Sequence, residues 1–115
     1  MKMRDRQLLL DMLESSRLAV SYLEGTSIDE FLEDMRLQDA VIRRIGIIGE
    51  AARQISDLTR QSHADIPWHE INGMRNRIIH EYANIDLVVI WDTVHNSLPD
   101  LISVLEKTGE IDEIG

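Results

Sequence analysis

The chain has no cysteine, which rules out disulfides and thiolate metal sites and fits a reducing cytoplasm. Two prolines and six glycines leave little material for turns, so few, long elements are expected. No apolar run approaches the roughly 20 residues needed to span a bilayer. The start, MKMRDRQLLLDM, has acid inside its apolar run and no small-residue cleavage site, unlike a signal peptide. The expectation is a cytoplasmic protein with no membrane partner. Aromatics are 4% of the residues, so the few present stand out. Hydrophobic content of 43% against 29% charged is that of a globular chain rather than a disordered one. Residues 1–115 are long enough for one domain with a real core.

Basic charge is also scarce. Twelve Lys and Arg stand against twenty-one Asp and Glu, a net −9, and non-specific nucleic-acid binding depends on neutralising phosphates. The distribution alters that picture. Residues 1–35 carry four bases and eight acids, and residues 81–115 one base and eight acids. Residues 36–80 carry seven bases, all Arg, against five acids. A global RNA coat is not expected, but a local arginine-lined cleft in an acidic body is allowed. The competing reading pairs these arginines with acids on helix surfaces.

Hydrophobic periodicity predicts helix throughout. Leu9, Met12, Leu13, Ser16, Ala19, Val20 and Leu23 recur at three- and four-residue steps from about residue 4 to 24, and Gly25 is a natural stop. Ser27 and Glu30 have the form of a capping box opening a short helix with Ile28, Phe31, Leu32 and Met35 inward. The phase then restarts at Leu37, Val41, Ile45, Ile48, Ala52 and Ile55, predicting a long helix to about Leu58. Gly46 and Gly49 inside it suggest close approach by another helix, and Asp39 and Arg43 are spaced to pair. Residues 59–66 read as a loop, and Pro67 opens a helix to about Tyr82. Asp86 is a good N-cap for a last helix with Leu87, Trp91, Val94, Leu98, Leu101 and Leu105 on one face. Pro99 should kink or break that helix. Residues 107–115 read as a frayed acidic tail. With no repeats and no strand-type alternation, the expected fold is an all-α, up-down bundle of four to five helices, mostly antiparallel.

The chemistry concentrates in Arg75-Asn76-Arg77-Ile78-Ile79-His80-Glu81-Tyr82. Guanidinium is shaped to hold a phosphate through planar paired hydrogen bonds. Imidazole both gives and takes a proton near neutrality. Together they suffice to cleave RNA without a metal. At about 100° per residue, however, Arg75 and His80 point roughly 140° apart. Ile71, Ile78 and Tyr82 share Arg75's side, whereas Gly73, Asn76 and His80 face away. A bent Arg75, a distorted helix, or two copies of the helix facing across a two-fold axis would bring both groups to one target; the last fits the commonest oligomer symmetry.

RNRIIHEY, with Asn84-Ile85-Asp86 behind it and AVIRRIGIIGEAARQIS ahead, resembles the HEPN family, specifically its HepT-type minimal toxins. Arg75, Asn76, His80 and Tyr82 match the family's Arg, polar, His and trailing Tyr positions without a gap, and the likeness covers nearly the whole chain. The resemblance implies an HEPN-like helical homodimer, or a higher even oligomer, acting as a metal-independent endoribonuclease on RNA without a cofactor. It implies a toxin–antitoxin pairing with a minimal nucleotidyltransferase of the MntA-like type that transfers AMP to Tyr82. Arg75 and His80 would be catalytic, with Asn76 and Arg77 supporting.

Each residue admits a second reading. His80 could be a partly buried helix histidine capping a carbonyl. Arg75 and Arg77 could be surface arginines paired with Glu70 or Glu81, and Tyr82 a core aromatic with its hydroxyl at the rim. Trp68 and Trp91 read as core. His63, His69 and His95 lie on different elements without ligand spacing, so no metal site is expected. The alternative function is a non-catalytic helical partner or substrate-binding subunit of a nucleotidyltransferase.

Overall fold

The apolar stripes become helices in the computed structural model, which describes residues 1–108. The first is α1, Met3–Tyr22. It ends before Gly25, whose φ of 72° lies in the left-handed region that only glycine enters freely. Ser27 then caps α2, Ile28–Glu33, in a full capping box: its hydroxyl accepts from the Glu30 N–H, and the Glu30 carboxylate accepts from the Ser27 N–H. The Ser27 N–H does most to hold the Glu30 carboxyl below its usual pKa, with the Ser27 side chain adding to it.

The break after α2 comes one residue earlier than the periodicity suggests. Asp34 is extended (φ −109°, ψ 94°) and its side chain accepts from the Leu37 N–H, which starts α3, Met35–Gln54. Met35 is therefore the first residue of a new helix rather than the inward end of the old one. It is 72% exposed and Leu32 41%, whereas Phe31 is fully buried. Along α3, Val41, Ile45, Ile48 and Ala52 are buried as expected. Asp39 and Arg43 are both exposed, with no ion pair between them among the described residues.

The stretch read as a loop after Leu58 holds a short helix instead. Ile55 turns out of α3, Ser56 caps the Thr59 N–H, and α4 runs Asp57–Ser62. Leu58 points to solvent, and the inward residue is Thr59. Its partner is Asp5 of α1, which accepts from the Ser56 hydroxyl at 2.6 Å, the Thr59 hydroxyl at 2.7 Å and the Ser56 N–H at 3.2 Å. Burial pushes the Asp5 pKa up, but these bonds outweigh it and hold the carboxyl below its ordinary value. One anion thus ties the α3–α4 corner to the first helix.

Beyond Pro67 comes α5, Trp68–Glu81, which ends in a 3₁₀ turn, Tyr82–Asn84. Asp86 then caps α6, Leu87–Asp92, accepting from the Val88 and Val89 N–H groups. Pro99 sits in the first turn of α7, Leu98–Glu106, without breaking it. The five residues ahead of α7, Thr93–Ser97, widen into a π turn, and the Leu98 N–H reaches back to the Thr93 carbonyl. The wider turn makes room for a ring that would clash with the carbonyl four residues earlier. Of the expected frayed tail, Thr108 is buried and its hydroxyl closes onto the Leu105 carbonyl; residues 109–115 lie outside the described residues.

The result is an all-α bundle, with no strand among the described residues. Helix α3 is its spine, with α1 along one side, α5 along another, and α7 against α1. Leu9, Met12, Phe31, Val41, Ile90 and Leu105 are essentially inaccessible at its centre, each worth about 1.5–3 kcal/mol of burial. Trp68 and Trp91 are half-buried and pack on the edge of this core. Trp91 meets Phe31 on one side and stacks on His95 at 4.0 Å on the other. No helix is long and apolar enough to cross a membrane among the described residues.

Candidate active site

Helix α5 has no fully buried residue. It lies on the rim of the bundle, where its polar side chains meet solvent, and Trp68, Ile71, Met74 and Ile78 are the apolar side chains it packs against the core. What seats it is a glycine. A Cβ built on Gly49 of α3 would fall 2.6 Å from the Arg75 Cβ and 3.0 Å from its Cγ, closer than side chains approach. Gly46, the other candidate for a close approach, has open space instead. The absent side chain at 49 is where Arg75 crosses α3.

Beside that crossing, Glu50 accepts from Arg75 Nε at 2.8 Å. The Arg75 side chain is 17% exposed and Glu50 49%, so the arginine is gripped while its partner remains in contact with water. Arg75 Nη1 also reaches Asn76 Oδ1 at 3.5 Å. Neither Glu70 nor Glu81 is its partner; the acid comes from another helix. The bonds occupy Nε and one proton of Nη1, leaving guanidinium N–H groups for an incoming anion.

Arg75 faces a groove of about 690 Å³ along α1, α3 and α5, with Ile42, Ile47, Ile78, Ile79 and Tyr82 among its lining. Tyr82 is 58% exposed, so its hydroxyl is not that of a core aromatic. His80 does not line this groove. It is exposed, as are Asn76 and Arg77, so it is not a buried, carbonyl-capping histidine. The structure brings Arg75 and Tyr82 to the groove and leaves His80 outside it, in line with the roughly 140° between Arg75 and His80 on a regular helix; Asn76 shares the His80 side and only its amide oxygen reaches Arg75. Among the described residues no three His, Asp or Glu side chains group as a metal would need.

The close approach expected at a helix-interior glycine is found at Gly49, where Arg75 is the residue that fills it. Glu50 was not foreseen, because nothing local distinguishes it from any surface acid.

The family model described as Ribonuclease HepT-like matches residues 12–108. The chain belongs to the HepT-like ribonuclease family. It is 36% identical over 107 residues to "Probable ribonuclease HepT" of Thermococcus cleftensis, covering 93% of this chain and 97% of that one. A candidate RNase of Methanocaldococcus jannaschii is 35% identical, over 92% of this chain and 98% of its own. Another, from Caldanaerobacter subterraneus, is 34% identical over 84% and 86%. No solved structure matches. The family match spans the whole of α5 with its RNRIIHEY stretch, together with the α3 residues that seat it.

Proposed function

We propose that this HepT-like chain is a metal-independent endoribonuclease toxin whose site assembles where two copies meet. The observation that carries this reading is the pairing of an exposed His80 with a gripped Arg75 on the opposite side of the same helix. A two-fold axis beside α5 would set the His80 of one copy against the Arg75 of the other, giving two of each around one groove. The apolar lining of the 690 Å³ groove, with exposed Ile79 and Tyr82 at its edge, supports α5 as the face that a second copy covers.

The chemistry follows from the side chains. A His80 imidazole takes the proton from a ribose 2′-hydroxyl as that oxygen attacks the adjacent phosphorus. The bond to the 5′-oxygen breaks, and an imidazolium supplies the proton the leaving oxygen needs, leaving a 2′,3′-cyclic phosphate. Arg75, its Nε fixed by Glu50, presents its remaining N–H groups to the phosphoryl oxygens as charge builds on them. Asn76 and Arg77, on the exposed side of α5, support the phosphate and the imidazole. In this reading DNA, lacking the 2′-hydroxyl, is inert.

The decisive test is cleavage of single-stranded RNA by purified protein in EDTA, with a 2′-deoxy substitution at the cut position as control. Cyclic phosphate ends in EDTA support the reading. Cleavage that requires added metal, or that continues past the deoxy substitution, refutes it.

Neutralisation belongs to the same proposal. Tyr82 is accessible enough for a minimal nucleotidyltransferase of MntA-like type to join its oxygen to the α-phosphorus of ATP, releasing pyrophosphate. ATP, magnesium and that partner should add the mass of AMP to the wild type and not to Tyr82→Phe. The competing reading, a non-catalytic partner subunit of such an enzyme, draws on the net −9 charge; it predicts AMP transfer or complex formation with no cleavage.

A further inference from the structure

A second cavity, of about 340 Å³, lies between α3 and the start of α5, lined by Gly49, Ala52, Arg53, Arg60, Trp68, His69 and Asn72. Its lining holds two guanidiniums and an imidazole and no carboxylate, in a chain with nearly twice as many acids as bases. Arg60 is locked in place: one Nη donates to the Ala52 and Arg53 carbonyls at 3.0 Å each, and the guanidinium lies over Trp68 at 5.9 Å. Its Nε is buried with no partner among the described residues, a cost that proteins seldom leave standing. Arg53 is exposed, and no carboxylate pairs with it among the described residues.

His69 and Asn72 of this cavity share a helix face with His80. At 100° per residue, His69, Asn72, Gly73, Asn76 and His80 fall within about 100° of arc on α5. All five are exposed, and at Gly73 a side chain would meet nothing within 4 Å, so the helix surface is bare at the middle of the stripe. From His80 to His69 the helix rises about 16 Å, the reach of a few nucleotides of extended strand.

We propose that this cavity is an RNA subsite, holding a backbone phosphate of a nucleotide flanking the one cut at His80. Arg53 supplies the charge-assisted hydrogen bonds to that phosphate, and Arg60, fixed beneath it, supplies field. Asn72 and His69 line the path along which the strand reaches His80. The proposal rests on the ribonuclease reading for its substrate, but its geometry stands on residues that reading does not use. It also accounts for how an acidic protein holds RNA: a short run of cation along one helix face replaces general attraction.

Arg53→Ala tests it, since an exposed side chain on a helix surface can be removed without unfolding the bundle. Arg36→Ala, which removes the same charge from the exposed start of α3, is the control. On a single-stranded RNA of about twelve nucleotides, Arg53→Ala should raise KM about fivefold and leave kcat unchanged. It should also lower the slope of log KM against log salt by about 0.7, the loss of one phosphate contact on a single strand. A dinucleotide substrate, too short to reach the cavity, should show no difference. An unchanged KM and salt slope overturns the subsite, as does an equal effect from Arg36→Ala. If the wild type cuts no RNA, fluorescence anisotropy with the same oligonucleotide separates the two proposals. Weaker binding by Arg53→Ala then supports the subsite while the nuclease reading fails, and no binding by the wild type overturns both.

Discussion

Adding one methyl group at Gly49 should damage the enzyme more than the fold. The new Cβ of Gly49→Ala would sit 2.6 Å from the Arg75 Cβ, about 1 Å inside the usual carbon–carbon separation. The atom it meets is bonded directly to the α5 backbone, so no rotamer change relieves the clash; α5 itself has to retreat by up to about that distance. Overpacking of this kind costs about 1–3 kcal/mol, partly offset by about 1 kcal/mol of helix propensity gained over glycine. Gly73→Ala, on the open face of α5, receives the propensity gain alone. Gly49→Ala should therefore be about 1–3 kcal/mol less stable than Gly73→Ala in urea titrations. Arg75 moves with α5, and a misplacement of about 1 Å at a catalytic group can cost about a hundredfold in rate. The paired assay is kcat/KM on RNA beside the unfolding midpoint. If Gly49→Ala is as stable as Gly73→Ala and cuts RNA at the wild-type rate, the glycine does not set the position of Arg75.

Three further substitutions probe separate parts of the structure. His80→Ala should leave the unfolding midpoint within about 0.5 kcal/mol, because the residue is exposed, while cleavage falls by about 10²–10⁴; a large stability loss would mean a structural histidine. Glu50→Ala frees Arg75 Nε and should lower kcat/KM about tenfold with under about 1 kcal/mol of stability change, and Glu50→Gln, which keeps an acceptor, should restore most of the rate; an unchanged rate in Glu50→Ala removes Glu50 from any positioning role. Asp5→Asn tests the α1–α4 tie. The folded Asp5 pKa lies below its ordinary value, so its contribution is present above the unfolded carboxylate pKa of about 3.9 and drains away as pH falls through the folded value. The variant should be about 1–3 kcal/mol less stable at pH 7, with the gap closing toward low pH in urea titrations; a gap that stays constant into strong acid refutes the assignment.

How far the fold could be read in advance depends on what buried each element. Where a helix is held by an apolar stripe, as in α1, α3 and α7, its inward residues were legible one by one. Helix α4 was not, because its inward residue is Thr59 and its anchor is the carboxylate of Asp5, fifty-four positions away. A polar tie leaves no hydrophobic period to detect, and the one large apolar residue of α4, Leu58, points to water. Leu32 and Met35 misled for the opposite reason. Their spacing continues the stripe of Phe31, but Asp34 prefers to cap a new helix, and a cap resets the phase. Pro99 announces a fault in the last helix, and the π turn shows the fault absorbed upstream of the ring rather than at it.

The site divides along the same line. That Arg75 and His80 diverge follows from helix geometry alone, and both lie where that geometry puts them. Which acid would hold Arg75 was not readable, since helix spacing offered Glu70 or Glu81 from its own segment and the fold brought Glu50 from α3. The difference matters for mechanism. An intrahelical partner would leave Arg75 as mobile as its own surface, whereas Gly49 and Glu50 fix it from a second helix that is itself buried in the core. His80 has no such grip, and an exposed imidazole on a rim helix is free to be oriented by whatever closes over it. On the ribonuclease reading proposed above, the fold preorganises Arg75, and a second copy would supply the surface that orients His80. That asymmetry is the strongest physical reason to look for the complete site between copies.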